Sequence, residues 1–114
     1  MVKVDAGIIE TIQRFLSKLE EHGIHVERAY LFGSYAKGIE NRLSDIDVAV
    51  ISSEFSDDRL EERIRLMKLA SDVDTRIEPA PFRSDTFVDE DPLVWEIKKG
   101  GIAIKFLPEK AASV

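Results

Sequence analysis

Cysteine is absent from this chain of 114 residues. That absence excludes disulfide bonds, thiolate nucleophiles and cysteine-based zinc sites. Long apolar runs are also missing, because the longest one, around residues 46–51, contains Asp47 and is far too short to cross a bilayer. Residues 1–7 lack the basic start and the apolar stretch of a secretory signal. We therefore expect a cytoplasmic protein that does not bind a membrane.

A basic surface stripe is the next missing feature. The formal net charge is −6, and lysine and arginine are interleaved with aspartate and glutamate along the chain. Proteins that hold polymeric nucleic acid on their own usually carry a basic patch. We therefore expect no direct contact with long DNA or RNA. Any nucleotide that binds would be held by metal ions and local dipoles.

The length fits one compact domain. Apolar residues make up 44% of the chain, which is enough for one hydrophobic core. We therefore expect a single domain over residues 1–114, in which residues 108–114 form a frayed tail.

Hydrophobic periodicity predicts alternating helices and strands. Helices are expected over residues 5–22, 34–40, about 56–70 and 91–99, and strands over 26–32, 45–51, 75–79 and 102–107. The third helix would be capped by Ser56 or Asp57, and its buried stripe would consist of Leu60, Ile64, Met67 and Ala70.

This order of elements predicts an α+β fold with α/β-type layers. Its sheet would be small and mixed, with about four strands and with helices packed against it. A helical crossover joins the second strand to the third, which favours a parallel pair there. The third strand is expected to end at Pro79.

Two carboxylates stand at the start of the second strand. Asp45 and Asp47 occupy alternate positions, so they would project together, roughly 6–7 Å apart. At an effective dielectric constant near 20, such a pair repels by about 2–3 kcal/mol. A divalent cation would turn this repulsion into attraction. The alternative to a metal site is that the first aspartate is a capping residue and the second is a single satisfied polar group at the start of the strand. An EF-hand loop is excluded, because Val50 and Ser56 occupy its glycine and glutamate positions.

A glycine and a serine follow the first strand. Gly33 permits a turn that a side chain would block, and it lets backbone N–H groups approach an anion. Ser34 either caps the next turn or donates its hydroxyl to a phosphate. A P-loop is excluded, because Ile39 and Glu40 stand where that motif requires lysine and serine or threonine.

Together these features form a recognisable signature. In the run GSYAKGIENRLSDIDVAV, ten residues separate Gly33 and Ser34 from Asp45, Ile46 and Asp47. It resembles the signature of the nucleotidyltransferase superfamily that includes DNA polymerase β, and the length resembles its minimal (MNT) branch. The resemblance extends from residue 30 to about residue 107 and implies the nucleotidyltransferase fold.

The resemblance also implies a third carboxylate on the next strand. Asp74, Arg76 and Glu78 alternate along one face there. Glu78 is the predicted third carboxylate and Asp74 the second choice, with a solvated strand residue as the alternative for Glu78. By resemblance, Asp45, Asp47 and Glu78 would be both catalytic residues and ligands of two Mg²⁺ ions.

The implied nucleotide site lies at the glycine–serine turn. By resemblance, Gly33 and Ser34 would hold the β- and γ-phosphates of an NTP, most naturally ATP. Lys37 and Arg42 lie in the segment before the carboxylate pair, where they either reach the triphosphate or stay solvated.

The implied reaction is transfer of a nucleoside monophosphate, AMP from ATP, onto a hydroxyl acceptor. Small MNT proteins resemble antitoxins that modify a helical partner of the HEPN type, and this chain has no evident acceptor-binding domain. The acceptor would come from such a partner, or from a second copy in a homodimer. Two alternatives stay open: a catalytically inactive partner-binding module that keeps the fold, and an α/β domain that binds an unrelated divalent metal.

Overall fold

The computed structural model describes residues 4–40 and 44–106. Eight elements follow one another in these ranges: α1 (Ala6–Glu21), β1 (Arg28–Phe32), α2 (Ser34–Lys37), β2 (Ile46–Ile51), α3 (Arg59–Ser71), β3 (Ile77–Phe82), α4 (Pro92–Gly100) and β4 (Ile102–Ala103). The predicted alternation of helices and strands is therefore confirmed.

The four strands form one mixed sheet in the order β3-β2-β1-β4. Strand β1 runs antiparallel to both β2 and β4, and β2 runs parallel to β3. The parallel pair is joined through α3, as the sequence predicted. The predicted fold class, a small mixed sheet with helices packed against it, is confirmed.

Helices cover the central strand on both faces of the sheet. On one face α1 and α3 pack against Ile46, Val48 and Val50 of β2. On the other face α4 and Phe87 pack against Ala49 and Ile51. The near-continuous apolar character of β2 follows from this double burial.

Side-chain caps fix where α1 and α4 begin. The Asp5 carboxylate accepts a hydrogen bond from the N–H of Gly7 at 2.7 Å, and the Asp91 carboxylate accepts one from Leu93 at 2.9 Å. Pro92 then occupies the first turn of α4, where its missing N–H costs nothing. Both starting points agree with the sequence prediction to within a residue.

The predicted orientation of α3 was wrong. Its N-cap is Asp58, whose carboxylate accepts from the N–H of Glu61 at 3.0 Å, and neither Ser56 nor Asp57 holds that position. Of the predicted buried stripe only Ala70 is buried; the helix packs on the sheet through Leu66 and Ala70, and the exposed members are Leu60, Ile64 and Met67. Two apolar stripes share this helix, and periodicity does not say which one meets the sheet.

The predicted end of the third strand was also wrong. Strand β3 continues through Pro79 and Pro81 to Phe82. It is an edge strand, and the carbonyls of Arg76 and Phe82, at even positions, accept hydrogen bonds from the N–H groups at the start of β2 and just after its end. Prolines at odd positions therefore place their missing N–H on the side without a neighbouring strand, where no sheet hydrogen bond is lost.

The last strand is shorter than predicted. Strand β4 covers Ile102 and Ala103, and the N–H of Ile104 just after it also donates to the carbonyl of Ala29 in β1 at 2.9 Å. The predicted end of this strand at Leu107 and the predicted frayed tail over 108–114 lie outside the described residues. Among the helices of the described ranges, none has the length and apolar character needed to cross a membrane.

Candidate active site

Three strands bring the predicted site residues to one end of the sheet. Asp47 stands opposite Phe32 of β1 and opposite Glu78 of β3. Residues opposite each other on neighbouring strands lie on the same face, about 5 Å apart in the hydrogen-bonding direction. Asp47 and Glu78 therefore share the face that α4 covers further along the sheet.

Gly33 turns the chain immediately beside Asp47. It follows Phe32, caps α2 and has φ +72° and ψ −146°, a conformation that is essentially reserved for glycine. A β-carbon at this position would overlap the carboxylate of Asp47. The signature glycine thus leaves the space that the Asp47 carboxylate occupies.

The Asp47 carboxylate sits among like charges. Burial raises its pKa above the ordinary aspartate value, and the negative charges of Asp45 and Glu78 raise it further. Asp45 is exposed and precedes β2 by one residue. The three predicted carboxylates are therefore electrostatically coupled at Asp47, and this cluster would attract a cation.

Glu78 is held by a cation from α3. The Nη2 atom of Arg63 lies 3.1 Å from Oε2 of Glu78, and both side chains are partly exposed. No local sequence pattern indicates this contact, because it joins a helix to a strand fifteen residues away. Arg63 is therefore a site residue that sequence reasoning missed.

Asp74 lies away from this cluster. Its carboxylate accepts hydrogen bonds from Nε and Nη2 of Arg76 at 3.1 and 2.9 Å, and from the Arg76 N–H at 2.9 Å. The Arg76 guanidinium lowers the pKa of Asp74 below its usual range. Because β3 begins at Ile77 opposite Ile46, Asp74 lies beyond the end of the paired strands.

A cavity of about 420 Å³ opens over Asp47 and Glu78. Arg59, Leu60 and Arg63 of α3 line it together with these two carboxylates. Arg59 also stacks over the ring of Phe82, with its guanidinium carbon 4.8 Å from the ring centroid. The N-terminal turn of α3 therefore supplies a basic wall to an otherwise acidic site.

A second cavity, of about 480 Å³, borders the glycine turn. Its walls are mainly apolar, and they include Gly33, Lys37, Trp95 and Lys99. The exposed ammonium group of Lys37 is 3.8 Å from the carboxylate of Glu96. Lys37 thus borders the predicted phosphate turn and lies outside the cavity over Asp47.

Ser34 and Arg42 complete the predicted nucleotide-binding residues. Ser34 is the first residue of α2, directly after the glycine turn, and is partly buried. Arg42 lies outside the described residues.

The donor atoms suit a magnesium ion that is shared with a substrate. In residues 4–40 and 44–106, no group of three or more His, Cys, Asp or Glu side chains is assembled for metal binding. Mg²⁺ usually takes one or two protein carboxylates and fills its octahedron with water and substrate phosphate oxygens. Asp47, which occupies the space left at Gly33, and Asp45, whose charge acts on Asp47, fit that pattern.

Substituting Gly33 by alanine is expected to lower the free energy of unfolding by about 1–3 kcal/mol. The new β-carbon would also displace the Asp47 carboxylate. This second effect should couple the two positions by about 0.5–3 kcal/mol in a double-mutant cycle with Asp47→Ala, measured by urea unfolding.

Gly23 provides the matched control for this cycle. It also has a positive φ, +82°, but a β-carbon there would meet no atom within 4 Å. Gly23→Ala should therefore lower the free energy of unfolding by the same amount in the presence and in the absence of Asp47→Ala. Equal coupling at Gly23 and Gly33 would contradict the close approach of Gly33 to Asp47.

The fold and the site define a class of protein: a nucleotidyltransferase-type domain, with strand-borne carboxylates beside a glycine–serine turn. Residues 10–105 match the family described as Polymerase beta, Nucleotidyltransferase. The chain belongs to this family.

A relative within the family shows which branch of the family the chain resembles. The chain is 32% identical over 75 residues to the protein adenylyltransferase MntA of Shewanella oneidensis, which covers 66% of this chain and 53% of that protein. The aligned stretch thus spans about half the length of this relative.

Two solved structures are similar along most of the chain. One is described as a toxin–antitoxin with AMP-PNP; it is 26% identical, has a TM-score of 0.63, and covers 92% of this chain and 78% of its own. The other is a mutant of the toxin–antitoxin MntA–HpeT; it is 25% identical, has a TM-score of 0.60, and covers 88% and 77%. The MNT resemblance inferred from the signature is therefore confirmed.

Proposed function

We propose that this protein is a Mg²⁺-dependent adenylyltransferase that moves AMP from ATP onto a hydroxyl group of a protein partner. The observation that carries this proposal is the placement of Asp47 opposite Glu78 and against Gly33. The relative from Shewanella oneidensis is called a protein adenylyltransferase, and a similar structure contains AMP-PNP. Both names agree with the proposed donor and reaction.

The partner we propose is a small helical toxin of the HEPN type, in the cytoplasm, with this chain as its antitoxin. Similar structures are toxin–antitoxin complexes, which supports a protein acceptor. A homodimer that supplies its own acceptor is the alternative partner. Polymeric nucleic acid fits poorly, because the net charge of the chain is −6.

Each predicted site residue has a proposed role in the reaction. Asp45 and Asp47 would hold Mg²⁺ with the triphosphate, and Glu78 would join them and help take the proton of the acceptor hydroxyl. The bound metal would supply charge neutralisation at the phosphates and activate the acceptor oxygen. Gly33 and Ser34 would bind the β- and γ-phosphates, with Lys37 and Arg42 adding positive charge.

The position of Arg63 has a consequence for this mechanism. Glu78 accepts a hydrogen bond from Arg63 through Oε2 at 3.1 Å, so a metal ion would have to bind through Oε1 or displace Arg63. The pair is partly exposed, and exposed ion pairs contribute only about 0–1 kcal/mol, so displacing Arg63 from Glu78 would require little free energy.

The test uses two labels on ATP. The purified chain is incubated with Mg²⁺, a co-expressed candidate partner, and ATP labelled at either the α- or the γ-phosphorus. We expect the α label to become covalently attached to the partner and the γ label to leave as pyrophosphate. Chelation of Mg²⁺ should abolish the transfer.

Ligand-dependent stabilisation is measured in parallel, without any partner. At a concentration 100 times its dissociation constant, a nucleotide stabilises the fold by about 2.7 kcal/mol, which corresponds to a shift in melting temperature on the order of 10 °C. We expect this shift with Mg²⁺ and ATP together. Binding of a partner without nucleotide-dependent stabilisation or transfer would favour the inactive module.

A further inference from the structure

Helix α3 carries an apolar ridge on its outer surface. Leu60, Ile64 and Met67 follow one another at helical spacing, and their exposed fractions are 68%, 47% and 40%. The fold does not need this ridge, because α3 packs on the sheet through Leu66 and Ala70. Three large apolar side chains aligned on one exposed helix face are typical of a binding surface.

One end of the ridge opens into the candidate active site. Leu60 lines the cavity of about 420 Å³ that also contains Asp47 and Glu78, and the partly exposed Leu93 faces the same space. A chain lying along the ridge would therefore lead directly to the proposed catalytic carboxylates.

Positive charge borders the ridge. Residues 59–68 contain four basic and two acidic side chains, a formal charge of +2 in a chain whose net charge is −6. Helical geometry puts Arg59 and Arg63 along one side of the ridge and Arg65 and Lys68 along the other.

Of the two acidic side chains, Glu62 is turned into the protein. It is 6% exposed, and its carboxylate accepts a hydrogen bond from the N–H of Ser56 at 2.6 Å. Glu62 also pairs with Arg65 at 3.4 Å, and the formal charge of +2 over residues 59–68 already counts this pair, so the surface beside the ridge complements an acidic ligand.

We propose that the outer face of α3 is the docking surface for the acceptor protein, and that it receives an amphipathic helix with an apolar stripe bordered by carboxylates. This inference rests on the proposed transfer to a protein, and it specifies where that protein binds. The bound helix would cover Leu60, Ile64 and Met67, and its residues nearest Leu60 would lie at the mouth of the Asp47 cavity.

The test uses two synthetic helical peptides and needs no catalytic turnover. Both peptides carry leucines at helical spacing; one has glutamates beside the leucines and the other has lysines. Binding is measured by fluorescence anisotropy on the full chain carrying Asp47→Asn. Peptide binding can therefore succeed or fail independently of nucleotidyl transfer.

We expect the glutamate peptide to bind about tenfold more tightly than the lysine peptide at low salt. The double variant Leu60→Ser/Ile64→Ser should weaken its binding by about tenfold or more, because two apolar contacts are lost. Val88→Ser is the matched control: Val88 is 42% exposed and does not line the cavity over Asp47, so binding should be unchanged.

Amide chemical shifts of the chain locate the bound peptide. We expect the largest changes in chemical shift on peptide binding to lie on α3 and around Leu93. Equal affinity for the two peptides, an unaffected Leu60→Ser/Ile64→Ser variant, or shifts confined to another surface would each overturn the proposal. So would a dimer of the unmodified chain that the same double variant dissociates, because the ridge would then be occupied by a second copy.

Discussion

Replacement of Asp47 by asparagine is expected to abolish AMP transfer while making the folded protein more stable. Asparagine keeps the shape of the side chain but removes the charge that would hold Mg²⁺ and the triphosphate. Loss of one well-placed electrostatic group commonly costs about 10²–10³ in rate, and loss of a metal ligand should cost at least that much. The measurement is the initial rate of α-label incorporation into the partner.

The expected gain in stability follows from the raised pKa of Asp47. Burial and the charges of Asp45 and Glu78 raise this pKa in the folded state, so the folded protein binds the proton more tightly than the unfolded chain does. The stabilisation linked to that proton is complete below the unfolded pKa, near 3.9 for aspartate, and is lost as the pH rises through the raised folded value. At neutral pH the charged carboxylate therefore opposes folding.

Urea unfolding at several pH values checks this linkage. The difference between Asp47→Asn and the unmodified chain should be small near pH 3, grow above pH 4, and level off by neutral pH at up to about 1 kcal/mol, the scale of partly exposed charge interactions. Added Mg²⁺ with ATP should stabilise the unmodified chain and leave the variant unaffected.

A matched charge removal distinguishes the site from a general effect of net charge. The Asp57 side chain is 98% exposed and lies 3.6 Å from Arg83. Asp57→Asn should retain full transfer and show no gain in stability. If Asp47→Asn transferred AMP at the normal rate, Asp47 would have no part in the reaction.

The order of elements could be read from the sequence because it depends on local signals. Asp5 and Asp91 begin two of the predicted helices and cap them in the structure, and the near-continuous apolar run of β2 corresponds to a strand covered on both faces. The extent of β3 could not be predicted in the same way. Whether Pro79 ends a strand depends on which edge of the sheet it faces, and that is decided by partners distant in sequence.

The orientation of α3 shows a second limit of local patterns. Leu60, Ile64 and Met67 form a regular stripe, and Leu66 and Ala70 form another. Periodicity finds both, but it contains no information about which one the sheet will bury. The stripe that was wrongly predicted as core is the surface we propose for the acceptor.

The candidate site was predictable where its residues are close in sequence, and less so elsewhere. Gly33 and Asp47 belong to one continuous signature, and the structure brings them into contact. Glu78 stands opposite Asp47 because its strand pairs with β2 in parallel. No sequence pattern indicates that Arg59 and Arg63 line the site, because they reach it only through the packing of α3 beside β3.

Glu78 is predicted as the third carboxylate and Asp74 is the second choice, so the variants Glu78→Gln and Asp74→Asn should have opposite effects on transfer and on stability. Glu78→Gln should reduce transfer by about 10²-fold, the scale of one electrostatic group at the reacting phosphate. Its effect on stability should stay below about 1 kcal/mol, because the ion pair with Arg63 is partly exposed. Initial rates and urea midpoints measure the two effects separately.

Asp74→Asn should show the reverse pattern. Its carboxylate anchors the Arg76 side chain by two hydrogen bonds at the turn into β3, and weakening a charged pair of this kind costs about 1–3 kcal/mol. Transfer at saturating ATP should remain within a few-fold of normal, because Asp74 lies outside the cavity that contains Asp47. Loss of transfer in Asp74→Asn together with normal transfer in Glu78→Gln would assign the third carboxylate to Asp74.

The variant Arg63→Ala tests the role of the ion pair between Arg63 and Glu78. If Glu78 must leave Arg63 to act, removing the arginine should leave transfer intact or raise it. A structural role for the pair would instead lower the urea midpoints of Arg63→Ala and Glu78→Gln equally.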